Sequence, residues 1–221
     1  MKPLFDALFA LALLIPSISF AEEDSFRLLE RRSEWRSTGA NNDLVRNESL
    51  FSFAGRAGNK ILRTDNTETN IHSHYVGNRS SSMKNYMYTG RMRLLDANGG
   101  VGVTFYSKYL NSDTYYRLRR YAGEPTFHIA PHGTEITSGT VDTGVNPVAG
   151  VWYNFKILVR TTRAGTRIRA KVWAKGTREP RGYQVDATDA SVTRIRTGRP
   201  GVWAMADGRK EWVNLAVQLV D

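Results

Sequence analysis

The stretch 151–173, VWYNFKILVRTTRAGTRIRAKVW, decides the fold. Tyr153, Phe155, Ile157 and Val159 recur at every second position, and side chains two apart share one face of a strand. Arg163-Ala164-Gly165 interrupts the run with turn chemistry. Ile168, Ala170 and Val172 then resume the same period, while Arg167, Arg169 and Lys171 take the other parity. Two such runs joined by a tight turn make an antiparallel hairpin with one apolar face and one solvated face. Phe155, Ile157, Ile168 and Val172 are therefore expected in a core.

Outward from this hairpin the same signals recur. Residues 49–54, 60–63, 85–95, 100–109, 114–121, 126–129, 201–206 and 211–220 are rich in Val, Ile, Phe, Tyr, Trp or Thr, and turn residues bound most of them. Asp96-Ala97-Asn98-Gly99-Gly100 is a second hairpin connection. Residues 64–84 are polar and predict a long loop with a short strand at 71–75, and 25–35 predict a short helix. About ten strands without helical crossovers imply an all-β fold, an antiparallel β-sandwich. Residues 45–221 are expected to form one sandwich domain that 22–44 joins.

The first residues describe the chain's destination. Met-Lys-Pro, an apolar run over 8–15 and Ser19-Phe20-Ala21 form the pattern of a secretory signal peptide, so 1–21 are expected to be removed. The apolar run is too short to span a bilayer as a helix, and a secreted or periplasmic protein with no transmembrane segment is expected. Cysteine is absent from all 221 residues, which excludes disulfides, thiolate metal sites and a cysteine nucleophile together. The net charge is +10. On an exported protein that excess points to an acidic polysaccharide or cell-envelope glycan rather than to nucleic acid.

Charge and aromatic residues meet in 115–121, YYRLRRY. Tyr115, Arg117, Arg119 and Tyr121 share one parity, which interleaves guanidinium with phenol. Arginine forks onto carboxylate or sulfate, and tyrosine stacks and hydrogen-bonds, a combination that suits an anionic, hydroxyl-rich ligand. His128 joins that surface if its strand is a neighbour, because Phe127 and Ile129 should face the core. The candidate ligand-binding residues are Arg91, Arg93, Tyr106, Tyr115, Arg117, Arg119 and His128. As outward-facing residues, Arg117 and Arg119 are expected to contribute little to stability.

Four further segments carry a resemblance. The WYNFKILV strand, the strand TRIRAKVW, the turn and strand TGRPGVWA over 197–204, and the closing WVNLAVQLV are similar to the concanavalin A-like lectin and glucanase superfamily, in particular its laminin G-like members. The resemblance implies a jelly roll with a glycan-binding face but no particular reaction. It also implies that a structural calcium is possible, for which Asp207 and Asn214 are conceivable ligands. The glycosidases of this superfamily carry paired carboxylates on one strand, and no strand here offers that pair.

Jelly-roll alginate lyases offer a second likeness. Their Arg-Ser/Thr-Glu-x-Arg, Gln-Ile/Val-His and Tyr-Phe-Lys strands resemble Arg32-Ser33-Glu34-Trp35-Arg36, Asn70-Ile71-His72 and Tyr153-Asn154-Phe155-Lys156, in the same order. Trp35 replaces an aliphatic residue, Asn70 replaces Gln, and the third motif lacks its Gly and Gln. A polysaccharide lyase acting on a uronate-containing polymer is thus the alternative, and a non-catalytic envelope interaction domain a third reading. His72 and His74 point to one face of a strand, but no Asp or Glu stands at a supporting spacing, so no metal site is expected.

Overall fold

The structure, a computed structural model, describes residues 25–40 and 43–221. The proposed signal peptide lies outside the described residues. The strands are β1 (Ser25–Arg27), β2 (Trp35–Thr38), β3 (Ser52–Ala54), β4 (Ile61–Thr64), β5 (Ile71–Tyr75), β6 (Tyr86–Leu94), β7 (Gly100–Ser107), β8 (Tyr116–Tyr121), β9 (Glu124–Ile129), β10 (Ser138–Thr140), β11 (Tyr153–Thr161), β12 (Thr166–Ala174), β13 (Val185–Asp189), β14 (Arg199–Met205) and β15 (Lys210–Leu219). They form two antiparallel sheets. The larger has nine strands in the order β10-β13-β12-β11-β6-β15-β4-β3, with β1 alongside the second half of β15. The smaller runs β2-β5-β14-β7-β8-β9.

The hairpin read from the sequence is β11–β12, paired from Tyr153↔Ala174 to Thr161↔Thr166. Its alternation holds: Phe155, Ile157, Ile168 and Val172 are all buried. Against them, from the smaller sheet, pack Val101, Val103, Phe105, Leu118, Phe127, Ile129, Val202 and Ala204. Aromatic side chains bolt the sheets together through their polar ends. Tyr88 Oη donates to the Gly201 carbonyl (3.1 Å), Trp212 Nε1 to the Gly102 carbonyl (3.0 Å), and Tyr116 Oη to Asp189 Oδ2 (2.6 Å). A buried phenol or indole needs such a partner, and in these three bonds the partner belongs to the other sheet.

Asp189 accepts two further side-chain bonds, from Thr134 Oγ1 (2.6 Å) and Ser191 Oγ (2.6 Å). Burial by itself pushes its carboxyl upward, yet these donors outweigh burial and hold it below the ordinary carboxylate range.

One local expectation needs correction. The segment 25–35 is not a helix: it is β1, a turn and a single 3-10 turn at Arg32–Glu34. β1 pairs with β15 instead, and Trp35 starts β2, with its indole donating to the Leu28 carbonyl (2.7 Å). The short strand expected at 71–75 within the polar stretch 64–84 is β5, buried at every position. β10 and β13 were not legible as strands, being short and polar in their alternate positions.

Candidate functional site

The outward face of the smaller sheet holds most of the unusual chemistry. Cross-strand register fixes it. Arg119 lies opposite His128 on β9 and Gly102 on β7, Gly102 opposite Trp203 on β14, and Trp203 opposite His72 on β5. His74, two residues on, lies opposite Arg36 on β2. The expected neighbourhood of Arg117, Arg119 and His128 is therefore present, because β8 and β9 pair directly. Gly102 lets β8 pack close at the centre of this face, since a Cβ there would collide with the Leu118 carbonyl and lie 2.8 Å from the Cβ of Arg119.

Trp203 is the floor. Its indole is fully buried and donates to Asn70 Oδ1 (2.9 Å), which also accepts from Arg117 Nη1 (3.2 Å). Asn70 reaches both because its backbone is left-handed (φ 54°), a conformation asparagine tolerates better than most residues. The Arg117 guanidinium lies 4.6 Å over the Trp203 ring and 5.3 Å from the Tyr115 ring. Arg119 lies 4.5 Å over Tyr121.

Next to the arginines is a stack of rings. His74 stacks on Tyr109 (4.4 Å, 17°), and Tyr109 on Tyr115 (6.0 Å, 27°). Tyr115 in turn stacks on His132 (5.4 Å, 15°). His72 lies 4.9 Å from both tyrosine rings. Asp113 ties the outer end: one oxygen accepts from Tyr109 Oη (2.8 Å) and the other meets His132 Nε2 (2.7 Å). The connection 108–113 thus folds down over β5 and β14, where Arg199 donates to the Tyr109 carbonyl (2.6 Å).

This covering changes the electrostatics. Burial pushes His74 down to about 3, with Arg199 adding to the effect. Burial, then His74 and Arg117, push His72 well below its ordinary range, so both imidazoles are neutral near pH 7. Burial also raises Tyr115 to about 12 and lowers Arg117 to about 10. Arg117 is only 7% exposed, and among the described residues no carboxylate comes within ion-pair distance of it. The expectation that Arg117 is a freely truncated surface residue is therefore corrected: its side chain is packed between two rings. Arg119 is different. It pairs with Glu124 (2.9 Å), which also meets His128 Nε2 (2.7 Å).

The seven candidates do not all converge. Tyr115, Arg117, Arg119 and His128 share this face. Tyr106 does not: a bulge between Arg199 and Gly201 shifts the register, Tyr106 adopts φ 49°, and its ring turns inward against Tyr86. Parity counting along β7 cannot foresee a bulge. Arg91 and Arg93 lie on β6, in the other sheet, where Arg93 pairs with Glu211 (2.6 Å) and lies 4.6 Å over Trp152. Trp203, Tyr109, Asp113 and His132 were not among the candidates, and Asn70 entered only through the lyase likeness. Trp203 was detectable, since Val202 and Ala204 take the opposite parity. Tyr109 and Asp113 sit in a connection with no period to read.

The lyase likeness divides in the same way. β2 and β5 are neighbours, which brings Arg36 beside His74. β11 belongs to the nine-stranded sheet, where Tyr153 is buried inside and Lys156 pairs with Glu179 (2.7 Å), so the third motif does not join the first two. Asp207 and Asn214 do not fit a calcium site. Asp207 precedes β15 and Asn214 lies at its bulge, with the paired stretch Lys210 to Val213 between them. Beside Asp207 a cation is already built in: the Lys210 ammonium donates to the carbonyls of Ala206 and Asn66, and burial lowers it to about 8 although Asp207, Asp65 and Asp96 oppose that shift. Among the described residues no three His, Asp or Glu side chains cluster for a metal, and no helix is long and apolar enough to cross a membrane.

No protein-family model and no curated protein matches the sequence. Solved structures do match. A carbohydrate-binding module, CBM66 from Bacillus subtilis, is 14% identical over 84% of this chain and 95% of its own, with a TM-score of 0.52. A Bacillus subtilis protein of unknown function with a galectin-like fold is 11% identical over 87% and 93%, with a TM-score of 0.53. A Bacillus licheniformis beta-glucanase is 11% identical over 89% and 98%, also at 0.53. At such identities the likeness is one of architecture. Two antiparallel sheets, their strand order and these neighbours together make the fold a concanavalin A-like jelly roll.

Proposed function

We propose that this domain binds an acidic polysaccharide outside the cytoplasm through the outward face of its six-stranded sheet. The observation that carries the reading is Arg117: a nearly buried guanidinium that rests on Trp203 and Tyr115 without a carboxylate partner. A desolvated, unpaired charge is costly, and a ligand carboxylate or sulfate would offset that cost with charge-assisted bonds. Arg117 Nε and Arg119 Nε also lack partners among the described residues. Glu124 marks where the anion would sit. Its own carboxylate lies between Arg119 and His128, yet it is 48% exposed and able to swing away. Tyr121 and His132 would flank the sugar rings. The carbohydrate-binding module among the similar folds is compatible with this reading.

Affinity electrophoresis tests it. Gels containing polygalacturonate should retard the protein, and added salt should weaken the retardation, because partly exposed charges are screened. Gels containing a neutral glucan should not. Equal retardation in both, or none in either, would refute the proposal. Glu124→Gln should bind more tightly, since it removes the internal competitor.

A lyase is the second reading, and one observation favours it: the neutral His72 imidazole and the Tyr115 ring stand beside Arg117. A base there would take the proton α to the uronate carboxylate while Arg117 neutralises that carboxylate. The C4–O bond would break, a C4=C5 double bond would form, and the departing oxygen would take a proton. An unsaturated product absorbing in the near ultraviolet would establish this chemistry; its absence over long incubation would leave binding alone.

A further inference from the structure

The outward face of the nine-stranded sheet carries a second row of groups without partners. Register places Val213, Arg91, Asn154 and Trp173 side by side on β15, β6, β11 and β12. Among the described residues, no hydrogen bond or ion pair engages the Arg91 guanidinium, the Asn154 amide or the Trp173 indole N–H, and all three side chains are half-buried. They line a depression of about 260 Å³. Its far wall is Lys156 with Glu179 (2.7 Å), and behind that wall Lys171, opposite Lys156 across β11 and β12, holds the same carboxylate (2.7 Å). Lys171 also donates to the Pro180 carbonyl (2.9 Å), which fixes that wall.

We infer that this depression is a second saccharide subsite, for a pyranose ring with an anionic substituent. An indole gives the ring's apolar face a stacking surface, and an amide offers a donor and an acceptor to adjacent hydroxyls. Arg91 supplies the fork for a carboxylate or sulfate. Arg91 and Lys156 in the lining, with Lys171 also holding Glu179 from behind, leave the depression positive. Arg93 does not take part, because Glu211 and Trp152 already engage it. This subsite lies on a different sheet from Arg117 and does not depend on the first site. With one site on each sheet, a single molecule would join two polymer strands.

Calorimetric titration with tetragalacturonate tests the inference, with melting temperature measured in parallel to show that each variant folds. The wild type should bind two ligands per chain, and Arg91→Ala/Asn154→Ala should bind one. Arg119→Ala should also bind one, and the combined variant none. Two ligands per chain in Arg91→Ala/Asn154→Ala would overturn the inference, as would a single wild-type site that only Arg119→Ala removes. A single wild-type site that only Arg91→Ala/Asn154→Ala removes would uphold this subsite and refute the one at Arg117.

Discussion

The outward faces of the two sheets follow opposite rules. On β11 burial alternates strictly from Tyr153 to Val159, and the outward Lys156 finds a carboxylate at the surface. On β7 all eight residues are buried, because the connection 108–113 and the large side chains of β8 and β14 cover its outward side. The first face is solvated, and its Lys156, Lys171 and Arg167 are ion-paired. The second is covered, and it keeps aromatic rings, neutral imidazoles and an unpaired guanidinium away from water. A polar face that is nevertheless buried carries a cost that core formation does not require, which makes it the place to look for function.

The largest expected difference between the faces is in tryptophan truncation. Trp203→Ala, in the covered face, should cost about 3–5 kcal/mol in urea unfolding, because it leaves a cavity and strips Asn70 and Arg117 of their support. Trp173→Ala, half-exposed on the other face, should cost much less. Similar losses would mean that the two faces are equally packed.

Acid should distinguish them next. His72 and His74 have folded pKa values below the unfolded value near 6.5, so the unfolded chain takes up protons first. Their contribution is complete above pH 6.5 and is lost as pH falls from there toward their lowered values, about 3 for His74, at about 1.4 kcal/mol per histidine per pH unit. Glu179 and Asp186, on the solvated face, are held below the ordinary carboxylate range by Lys156 and Lys171 and by Arg167. Their contributions persist to about pH 4 and fade only below it. Urea midpoints should therefore drop between pH 6.5 and 5, and a flat profile over that interval would show that the histidines are not sealed from water.

The smallest effect belongs to Lys156→Met. Lys171 keeps Glu179 paired, and exposed ion pairs contribute about 0.2–1 kcal/mol. A loss several times larger, measured in the same urea titration, would show that the solvated face is structural.

These contrasts also explain what was legible in the sequence. Strict period-two runs such as 153–159 and 166–172 revealed the hairpin, its buried residues and the sandwich. The same counting found Arg117 and Arg119 on one face and brought His128 beside them. It failed where backbone geometry breaks the count, at the Tyr106 bulge. It failed also where a side chain arrives from a connection, as Tyr109 and Asp113 do. Assigning Arg91 and Arg93 to the site required sheet membership, which strand order determines and local pattern does not. Burial of Arg117 was invisible for the same reason, since its cover comes from Trp203 and Asn70, distant in sequence.

The most direct test is the salt dependence of polygalacturonate binding by the wild type and by Arg117→Gln, with Arg160→Gln on the exposed end of β11 as control. The account predicts that Arg117→Gln lowers affinity at least about tenfold and flattens the slope of log affinity against log salt, as loss of a charge-assisted contact requires. Arg160→Gln should match the wild type. If Arg117→Gln, still folded, keeps both wild-type affinity and wild-type slope, the buried guanidinium is not where the anion binds.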